Sequence, residues 1–302
     1  MVEPPQHGTV RHFSQADPAG RPRLRQRSGP FAENAGVELR QACHEAGIGV
    51  VAAGEHIGPP RLHRAVPALC ARLVVSLGAP MEIRYDGHVR HPRAVVAGLM
   101  RPGTATPSLT LRPDQPTVYV ELSPPAVHRL TEVPLGEVDA GGVDADDLLP
   151  WVSRLCEELA SHPAERREWL MRVRLLERLE RAGRTTMSPD ALEPLKIIAA
   201  SGGRVSVEEL ARHAHLSPRQ LRHVMRRALG IGPKFASRVA RLATAVRRAG
   251  DGAGSWAQIA AESGYHDQSH LVRDFNDLMR TTPSGWLTEE RRNLQGRRRP
   301  SL

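Results

Sequence analysis

Short apolar runs separated by Pro and Gly fill residues 37–125 and predict β-structure. Several runs are rich in Val and Ile, and they recur about every ten residues with turn signals between them, a spacing typical of an antiparallel sheet or barrel. The runs are Ile48–Ala53, Leu69–Leu77, Met81–Tyr85, Ala94–Met100, Ser108–Leu111 and Thr117–Leu122. Prolines at positions 124, 125 and 134 end the pattern, and residues 126–130 fit one short helical turn.

Helical spacing replaces this pattern in residues 146–183. Asp144 is the expected N-cap of a first helix, which His162-Pro163 ends, and a second helix runs to Gly183. The apolar positions are Leu148, Trp151, Val152, Leu155 and Leu159 in the first helix, and Trp169, Leu170, Val173, Leu176 and Leu179 in the second. We expect this pair to cover the sheet, and a dimer seam is the alternative.

Composition sets the predicted domain boundaries. Residues 1–35 are rich in Pro, Gly, Gln and Arg without an apolar period, which predicts a disordered arm. A regulatory domain is predicted at 36–184, with its β-rich part at 37–125, followed by a polar linker at 185–192. An all-helical domain is predicted at 193–292, and a basic disordered tail at 293–302.

The helical region contains one pattern twice. The first copy, SVEELARHAHLSPRQLRHVMRRALGIGP, occupies residues 206–233, and the second, SWAQIAAESGYHDQSHLVRDFNDLMRTTP, occupies residues 255–283. The offset between them is 49 residues before an internal turn and 50 residues after it. An internal repeat of this kind is hard to obtain by chance.

Each copy predicts a helix-turn-helix unit. Ser206 and Ser255 are the expected N-caps of the first helices. In the turn of the second copy stands Gly264, where a positive φ is expected. The first copy has His215 there, a residue type that tolerates this region better than most. Ser217, followed by Pro, starts the second helix of the first copy.

The second helix of the first copy has one apolar and one basic side. Its apolar side carries Leu221, Val224, Met225 and Ala228, and its basic side carries Arg219, Arg222, His223, Arg226 and Arg227. No acidic residue stands between Pro218 and Leu229, whereas ordinary surface helices mix charges. Because Arg can bridge guanine O6 and N7 or pair with phosphate, this face suits the major groove of DNA. A solvated charged face is the alternative.

The corresponding helix of the second copy is less basic. Opposite its apolar stripe lie Gln268, Ser269, His270 and Arg273, after the expected N-cap Asp267. Asp274 and Asp277 are expected to dilute the charge of this face. A long helix at 233–249 lies between the copies and would set the distance between the two recognition helices. Two such helices can enter major-groove segments about 34 Å apart.

Charge supports a nucleic-acid partner for the C-terminal third. The chain has 302 residues and a net charge of +9, and residues 193–302 hold 19 Lys and Arg against 10 Asp and Glu, so the remainder is balanced. Three distant cysteines give neither a disulfide framework nor a Cys-x-x-Cys clip. With no long apolar run and no signal-peptide pattern, we expect a cytoplasmic protein without a membrane partner.

These motifs resemble one family. The pattern E-L-A-x(4)-L-S-P-x-x-L, then G-x-x-P, then I-A-x-x-x-G-Y-x-D-Q-S-x-L-x-R-x-F and T-P-S-x-W is similar to that of the AraC/XylS class of bacterial transcription regulators, over about residues 193–292. The resemblance implies seven helices with two helix-turn-helix units, sequence-specific promoter binding and an N-terminal part that is often a cupin-like sensor. The fold class expected is therefore α+β, a β-rich domain followed by an all-α domain.

The resemblance also implies roles for individual residues. Arg219, Arg222 and His223 would read bases in the first unit, and Arg226 would contact phosphate. The same roles in the second unit would fall to Gln268, Ser269, His270 and Arg273. The chain departs from the family pattern at His223, where Arg is favoured, at Met225, where Phe is favoured, and at His215 in the turn.

The sequence offers weaker candidates for a metal site, for reactive cysteines and for a cation site. His88-x-x-His91 supplies two ligands of a cupin-type metal site, but no Glu stands at a helpful spacing, and we expect no metal or other cofactor. Cys43 and Cys70 have surroundings that indicate buried small residues, although Arg72 lies near Cys70. The acidic group 144–147 is explained by a helix N-terminus.

We therefore predict a DNA-binding transcription regulator and not an enzyme. Its partner is double-stranded DNA, while RNA polymerase, a second copy of the chain and a small-molecule effector remain open as further partners. The main alternative is a cupin-type metalloenzyme with a DNA-binding appendage. A module that binds RNA or acidic protein is a third reading, and the paucity of exposed aromatic residues in the basic region argues against RNA.

Overall fold

A computed structural model describes residues 30–113, 115–252, 254–295 and 297–298, with side-chain surroundings for 36–291 apart from the same internal gaps. The chain divides into two compact units, Met1–Glu38 and Leu39–Leu302. Of the first unit, only the start of helix α1 (Pro30–Glu45) is described. The predicted arm at 1–35 thus lies outside the described residues up to Pro30. From there the chain is helical, because residues 31–45 consist largely of good helix formers.

Within the described ranges, ten short strands build two antiparallel sheets. They are β1 (Ile48–His56), β2 (Arg61–Arg64), β3 (Ala71–Ser76), β4 (Glu82–Tyr85), β5 (His88–Arg90), β6 (Ala94–Ala97), β7 (Ser108–Leu111), β8 (Thr117–Leu122), β9 (Val143–Asp144) and β10 (Arg297–Arg298). The larger sheet has the order β10-β1-β8-β3-β6-β9, and the smaller has β2-β7-β4-β5. Each predicted apolar run contains a strand, whereas β2, β5, β9 and β10 were not predicted because they are short or polar.

Cross-strand pairs of buried aliphatic residues hold the larger sheet together. In β3 and β8, Leu73 faces Val120 and Val75 faces Val118, and all four side chains are buried. Alternate residues therefore form one core-facing surface. In the smaller sheet, β4 and β5 are joined by an Asp-Gly turn whose φ values are 47° at Asp86 and 79° at Gly87. Positive φ at both positions matches the twist of a two-residue hairpin.

Helices cover the larger sheet, as the sequence predicts. They are α2 (Pro124–Thr131), α3 (Ala145–Leu148), α4 (Val152–Ala160) and α5 (Ala164–Arg181), with a 3-10 helix at Leu135–Glu137. Helix α5 packs against β1. The Ala53 N–H donates to Glu168 Oε1 (2.9 Å), and Arg172 Nη2 donates to the Val51 carbonyl (3.2 Å). Two side chains of α5 thus occupy backbone groups of β1.

Two details of these helices differ from the sequence prediction. The first predicted helix is split into α3 and α4, because Pro150 lacks an N–H and disfavours helical geometry at Leu149. In α5 the buried residues are Leu170, Met171, Leu175 and Leu179. Trp169, predicted on the apolar stripe, is 45% exposed.

Seven helices are found in the described residues of the C-terminal part, as expected. They are α6 (Pro189–Ala200), α7 (Val207–His213), α8 (Pro218–Leu229), α9 (Pro233–Gly250), α10 (Trp256–Glu262), α11 (Gln268–Met279) and α12 (Pro283–Gln295). Helix α6 begins within the predicted linker, because Ser188 caps it and Pro189 occupies its first position. The predicted tail at 293–302 is described only in part, as the end of α12 and β10.

The two predicted helix-turn-helix units have matching turns. His215 has φ 53° and Gly264, its counterpart, has φ 81°. In the first turn the Leu216 N–H donates to the Ala211 carbonyl (2.9 Å), and in the second Tyr265 donates to Ala260 (3.0 Å). The repeat therefore extends to individual hydrogen bonds, and the prediction of positive φ at both turns is confirmed.

Two hydrophobic clusters divide the helical part unequally. The first unit, including Leu210, Leu221 and Met225, belongs to the same core as the larger sheet. The second unit forms a separate cluster around Phe275 and Trp286, which also contains Met100 from the β-rich part. None of the helices among the described residues is both long and apolar enough to cross a membrane.

Burial makes the cysteines poor nucleophiles. It raises the pKa of Cys70 to about 12, with help from Glu121 and against the opposing charge of Arg72, and it raises the pKa of Cys156 to about 11. The pKa of Cys43 is also raised by burial. We predict that no thiol of the native protein reacts promptly with Ellman's reagent at about pH 8, since the thiolate is the nucleophile. All three should react after unfolding in guanidinium chloride. Prompt labelling of native protein would contradict this assignment.

The two turns predict opposite effects on stability. His215→Gly should raise the free energy of unfolding by up to about 1 kcal/mol, because Gly has no steric penalty at positive φ. Gly264→Ala should lower it by about 1–2 kcal/mol, since the added Cβ would also lie 2.7 Å from Arg204 Cγ. Urea unfolding measures both, with His215→Ala as the control that keeps the strained backbone. Destabilisation by His215→Gly would show that the imidazole contributes more than the strain.

Candidate nucleic-acid interface

Helix α8 is fixed at its N-terminus by a capping box. The Gln220 N–H donates to Ser217 Oγ (3.2 Å), and the Ser217 N–H donates to Gln220 Oε1 (2.9 Å). Leu221, Met225 and Leu229 are buried along one side. Cap and core together determine which side of α8 faces outward.

The outward side of α8 is a row of cations. The exposed residues on it are Arg219, Gln220, Arg222, His223, Arg226 and Arg227. Within the described part of the chain, none of the four guanidiniums forms an ion pair with a carboxylate. Arg219, Arg222, His223 and Arg226, the residues predicted from the sequence, therefore lie together on one accessible face. The guanidiniums of this face are free to meet phosphate or base edges.

Helix α11 presents a smaller polar face. Asp267 caps it by accepting from the His270 N–H (2.7 Å), and this bond lowers the pKa of Asp267 below its usual value. Gln268, Ser269 and Arg273 are exposed. His270 is half-buried, with its ring edge-on to Tyr265 at 5.1 Å between centroids. Three of the four predicted residues thus face outward, and the fourth packs partly against the turn.

Two acidic residues of α11 have a role that the sequence did not indicate. Arg238 of α9 donates from Nε to Asp274 Oδ1 (2.6 Å) and from Nη2 to Asp277 Oδ2 (2.5 Å). The Asp274 side chain is only 3% exposed. The expectation that these carboxylates dilute the outward face is therefore wrong for Asp274, and Arg238 offsets the charge of both.

Helix α9 packs against both helix-turn-helix units and so connects them. It contacts α8, α10 and α11 and has buried residues along its whole length, among them Pro233, Val239, Leu242 and Val246. At 1.5 Å per residue its 18 residues span about 27 Å. The Arg238 ion pairs add a polar link between α9 and the second recognition helix.

The part of the chain before the helical domain, residues 36–184, touches the C-terminal ends of both recognition helices. The 3-10 helix at 135–137 lies against α8, with the backbones so close that a Cβ on Gly136 would be 2.9 Å from the Gly230 nitrogen. Arg101 Nη2 donates to the Gly136 carbonyl (2.7 Å). At the end of α11, the Thr106 N–H donates to the Leu278 carbonyl (2.7 Å).

The sequence analysis predicted neither the Arg238 ion pairs nor the contacts of Gly136 and Thr106. One sequence feature could have indicated the ion pair with Asp274. Asp274 stands directly before Phe275, where an acidic residue turned toward the interior needs a cation. Arg238, on a helix already predicted, was a candidate partner. No sequence pattern predicts the contacts of Gly136 and Thr106, because neither residue belongs to a periodic segment.

The histidine pair and the acidic group at 144–147 do not form metal-binding sites among the described residues. His88 and His91 are both exposed. Among the residues that the structure describes, no three His, Cys, Asp or Glu side chains are grouped so that they could hold a metal ion. Asp144 accepts from the Asp146 N–H (3.2 Å), and Ser153 Oγ donates to Asp146 Oδ1 (2.6 Å), so this acidic group caps a helix.

Comparison with known proteins gives one family match. Residues 210–289 match the family model of a helix-turn-helix domain. No curated protein matches the chain at a significant level.

Three solved structures illustrate what the chain is similar to. One is ToxT from Vibrio cholerae O395, with 13% identity, 80% of this chain and 98% of that chain covered, and a TM-score of 0.46. Another is unsaturated fatty acid bound wild-type ToxT from Vibrio cholerae strain SCE256, with 13% identity, coverages of 80% and 95%, and a TM-score of 0.47. The third is the C-terminal domain of AraT, a response regulator from Geobacillus stearothermophilus, with 21% identity, coverages of 34% and 88%, and a TM-score of 0.33.

The family match covers both helix-turn-helix units from Leu210 onward, including both recognition helices described above. A helix-turn-helix domain of the AraC type therefore occupies residues 210–289, and it gives the chain the DNA-binding part of a transcription regulator.

Proposed function

We propose that α8 and α11 enter adjacent major-groove segments of a promoter and read its sequence together. The observation that carries this proposal is the row of exposed guanidiniums on α8, unpaired within the described residues and fixed by a capping box. Arg219, Arg222 and His223 read bases from α8, while Arg226 contacts phosphate. Gln268, Ser269, His270 and Arg273 fill these roles on α11, with His270 limited by its packing against Tyr265.

The two units contribute unequally on this proposal. Four guanidiniums on α8 supply most of the electrostatic affinity, which falls with salt because phosphate contacts release counterions. On α11 one exposed Arg stands beside short polar side chains, so this helix adds fewer contacts. Because α9 joins both units in one chain, a single molecule can cover two groove segments without a second copy.

Substitutions on α8 should separate base reading from phosphate contact. Arg219→Ala or Arg222→Ala should weaken binding by about 1–3 kcal/mol and relax the choice of base at one position, if that residue is bidentate to guanine. Arg226→Ala should weaken all sequences alike and reduce the salt slope by about one. Selection from a random duplex pool gives the site, and titration at several salt concentrations gives affinities.

Arg154→Ala is the matched control, since Arg154 is exposed on α4 and its loss removes the same charge at a distance in sequence from both recognition helices. It should change neither specificity nor the salt slope beyond the effect of net charge. If Arg219→Ala and Arg222→Ala bind the selected site as the parent protein does, α8 is not the reading helix.

We also propose that the β-rich part regulates DNA binding through the ends of the recognition helices. Support comes from the close approach of Gly136 to Gly230 and the bond from Thr106 to Leu278. These contacts reach the same end of each repeat, and Arg101 links the segment around Thr106 to Gly136. A shift of this segment would move both helices together. RNA polymerase and a second copy of the chain are further candidate partners, and the proposal involves no catalysis.

Gly136→Ala tests this regulatory contact. The new methyl group should force the 3-10 helix away from Gly230 and lower the free energy of unfolding by about 1–3 kcal/mol, a typical cost of overpacking. Hydrogen exchange should increase at the end of α8. Gly183→Ala is the control, because its Cβ would meet nothing within 4 Å. Unchanged exchange at residues 226–232 in Gly136→Ala would contradict the contact.

A further inference from the structure

The β-rich part contains one strongly basic segment. Residues 61–112 hold eight Arg and two acidic residues, although residues 1–192 as a whole are balanced in charge. All four strands of the smaller sheet lie within this segment. Such a local excess of cations, in a part of the chain without net charge, favours an anionic partner for the smaller sheet.

The hairpin of β4 and β5 presents its cations to solvent. Strand β5 is an edge strand, and all three of its residues, His88–Arg90, are exposed. Arg84 in β4 and the residues His91 and Arg93 after β5 are exposed as well. The hairpin therefore has a basic edge that no other described strand covers.

Two guanidiniums of this hairpin are oriented but not neutralised. Arg90 Nη1 donates to the Gly142 carbonyl, and Arg93 Nη2 donates to the Gly78 carbonyl (3.3 Å). Within the described part of the chain, neither guanidinium forms an ion pair with a carboxylate. Because a guanidinium has five N–H donors, a bond to one carbonyl leaves donors for an anion.

The acidic residues near the hairpin do not cancel this charge. Glu82 is shared by Arg84 and Arg112, at 2.6 and 2.9 Å between carboxylate oxygen and guanidinium nitrogen, so this group keeps one positive charge. Asp86 stands in the turn of the hairpin. Asp139 lines a cavity beside β5 but forms no ion pair among the described residues.

The hairpin turn lies at the end of the second recognition helix. Residues 86–87 line the same cavity as Arg280, the residue that follows α11. On α11 the exposed residues Ser269, Arg273 and Asn276 follow one another at spacings of four and three, which places them on one side of the helix. Arg280, also exposed, stands four positions further. The outward side of α11 thus ends beside the hairpin.

Arg280 occupies a backbone conformation that favours glycine. Its φ and ψ are 51° and 38°, in the left-handed region. The corresponding residue of the first repeat is Gly230, with φ 73°. An arginine in this region has a conformational cost that glycine does not have, and a contact of its side chain can offset that cost. No carboxylate among the described residues pairs with Arg280, so its charge is available for such a contact.

We propose that Arg280, Arg90 and Arg93 form a flanking strip that contacts the DNA backbone next to the groove segment entered by α11. The proposal rests on the proposed function, since the strip meets phosphate only if α11 lies in the groove. From the turn at 86–87 to Arg93 the chain spans up to about 20 Å, the length of about six phosphates along one DNA strand. The exposed ring of His88 adds an N–H donor.

The length of the DNA tests the strip, because phosphate contacts add affinity and salt dependence without reading bases. The selected operator is prepared as three duplexes: trimmed to its two half-blocks, or extended by about ten base pairs beyond either half-block. Relaxed choice of base in Arg219→Ala identifies the half-block of α8. We expect the full chain to bind the duplex extended beyond α11 more tightly than the other two, with a salt slope larger by about two to three.

Charge variants of the hairpin test which residues are responsible. Arg90→Gln combined with Arg93→Gln should lower the salt slope on the α11-extended duplex by about two, without changing base preference. Arg90→Lys combined with Arg93→Lys should keep most of the slope, because the charge remains. Arg154→Gln combined with Arg166→Gln is the charge-matched control, exposed on α4 and α5, and should keep the gain from extension. Arg280→Gln should lower the slope by about one.

Three results would overturn the proposal. The first is equal affinity of the parent protein for the trimmed and α11-extended duplexes, and the second is an equal gain from extension beyond α8. The third is the same loss of affinity in the Gln and Lys variants of the hairpin, which would assign its arginines to folding. These results leave the proposed function standing, since selection of an operator tests it separately. If the parent protein selects no operator, the proposed function fails and the flanking strip fails with it.

Discussion

The burial of α9 is the constraint on which the position of both recognition helices depends. Its N-terminal half packs in the core shared with the larger sheet, and its C-terminal half packs in the core of the second unit. An amphipathic helix surrounded in this way has no freedom to rotate or slide, because protein interiors are close-packed. The distance between α8 and α11 is therefore set by side chains far from either reading face.

Arg238 adds directional hydrogen bonds to this packing and so restricts the orientation of α11. The buried side of α11 already restricts its rotation, and hydrophobic contacts themselves are non-directional. Two charge-assisted hydrogen bonds to one guanidinium restrict that rotation, because Asp274 and Asp277 lie on one side of the helix. The buried carboxylate of Asp274 would be strongly destabilising without this partner.

Local rules explain how much of the fold could be predicted from the sequence. The Ser-Pro signal at Ser217, the repeat at fixed offset and the turn residues His215 and Gly264 each depend on neighbours within a few positions, and the structure has all of them. The Ser-Pro pair at 188–189 carried the same signal but was assigned to a linker. The Arg238–Asp274 contact joins residues 36 positions apart, so the neighbours of Asp274 indicate that it needs a cation but do not identify which one. The candidate reading faces were predictable because one helix needs only its own periodicity, whereas the close approach of Gly136 to Gly230 joins two segments far apart in the sequence.

The side chains that α5 places along β1 have a consequence for self-association. A strand at the edge of a sheet normally offers free backbone groups that can pair with another chain. Here Glu168 and Arg172 occupy groups at Ala53 and Val51, and β10 pairs with the strand end at residues 55 and 56. This border is therefore closed to edge-to-edge addition of a second sheet. A second copy that approached the longest strand edge to edge would therefore have to displace Glu168 and Arg172 before it could pair with residues 51 and 53.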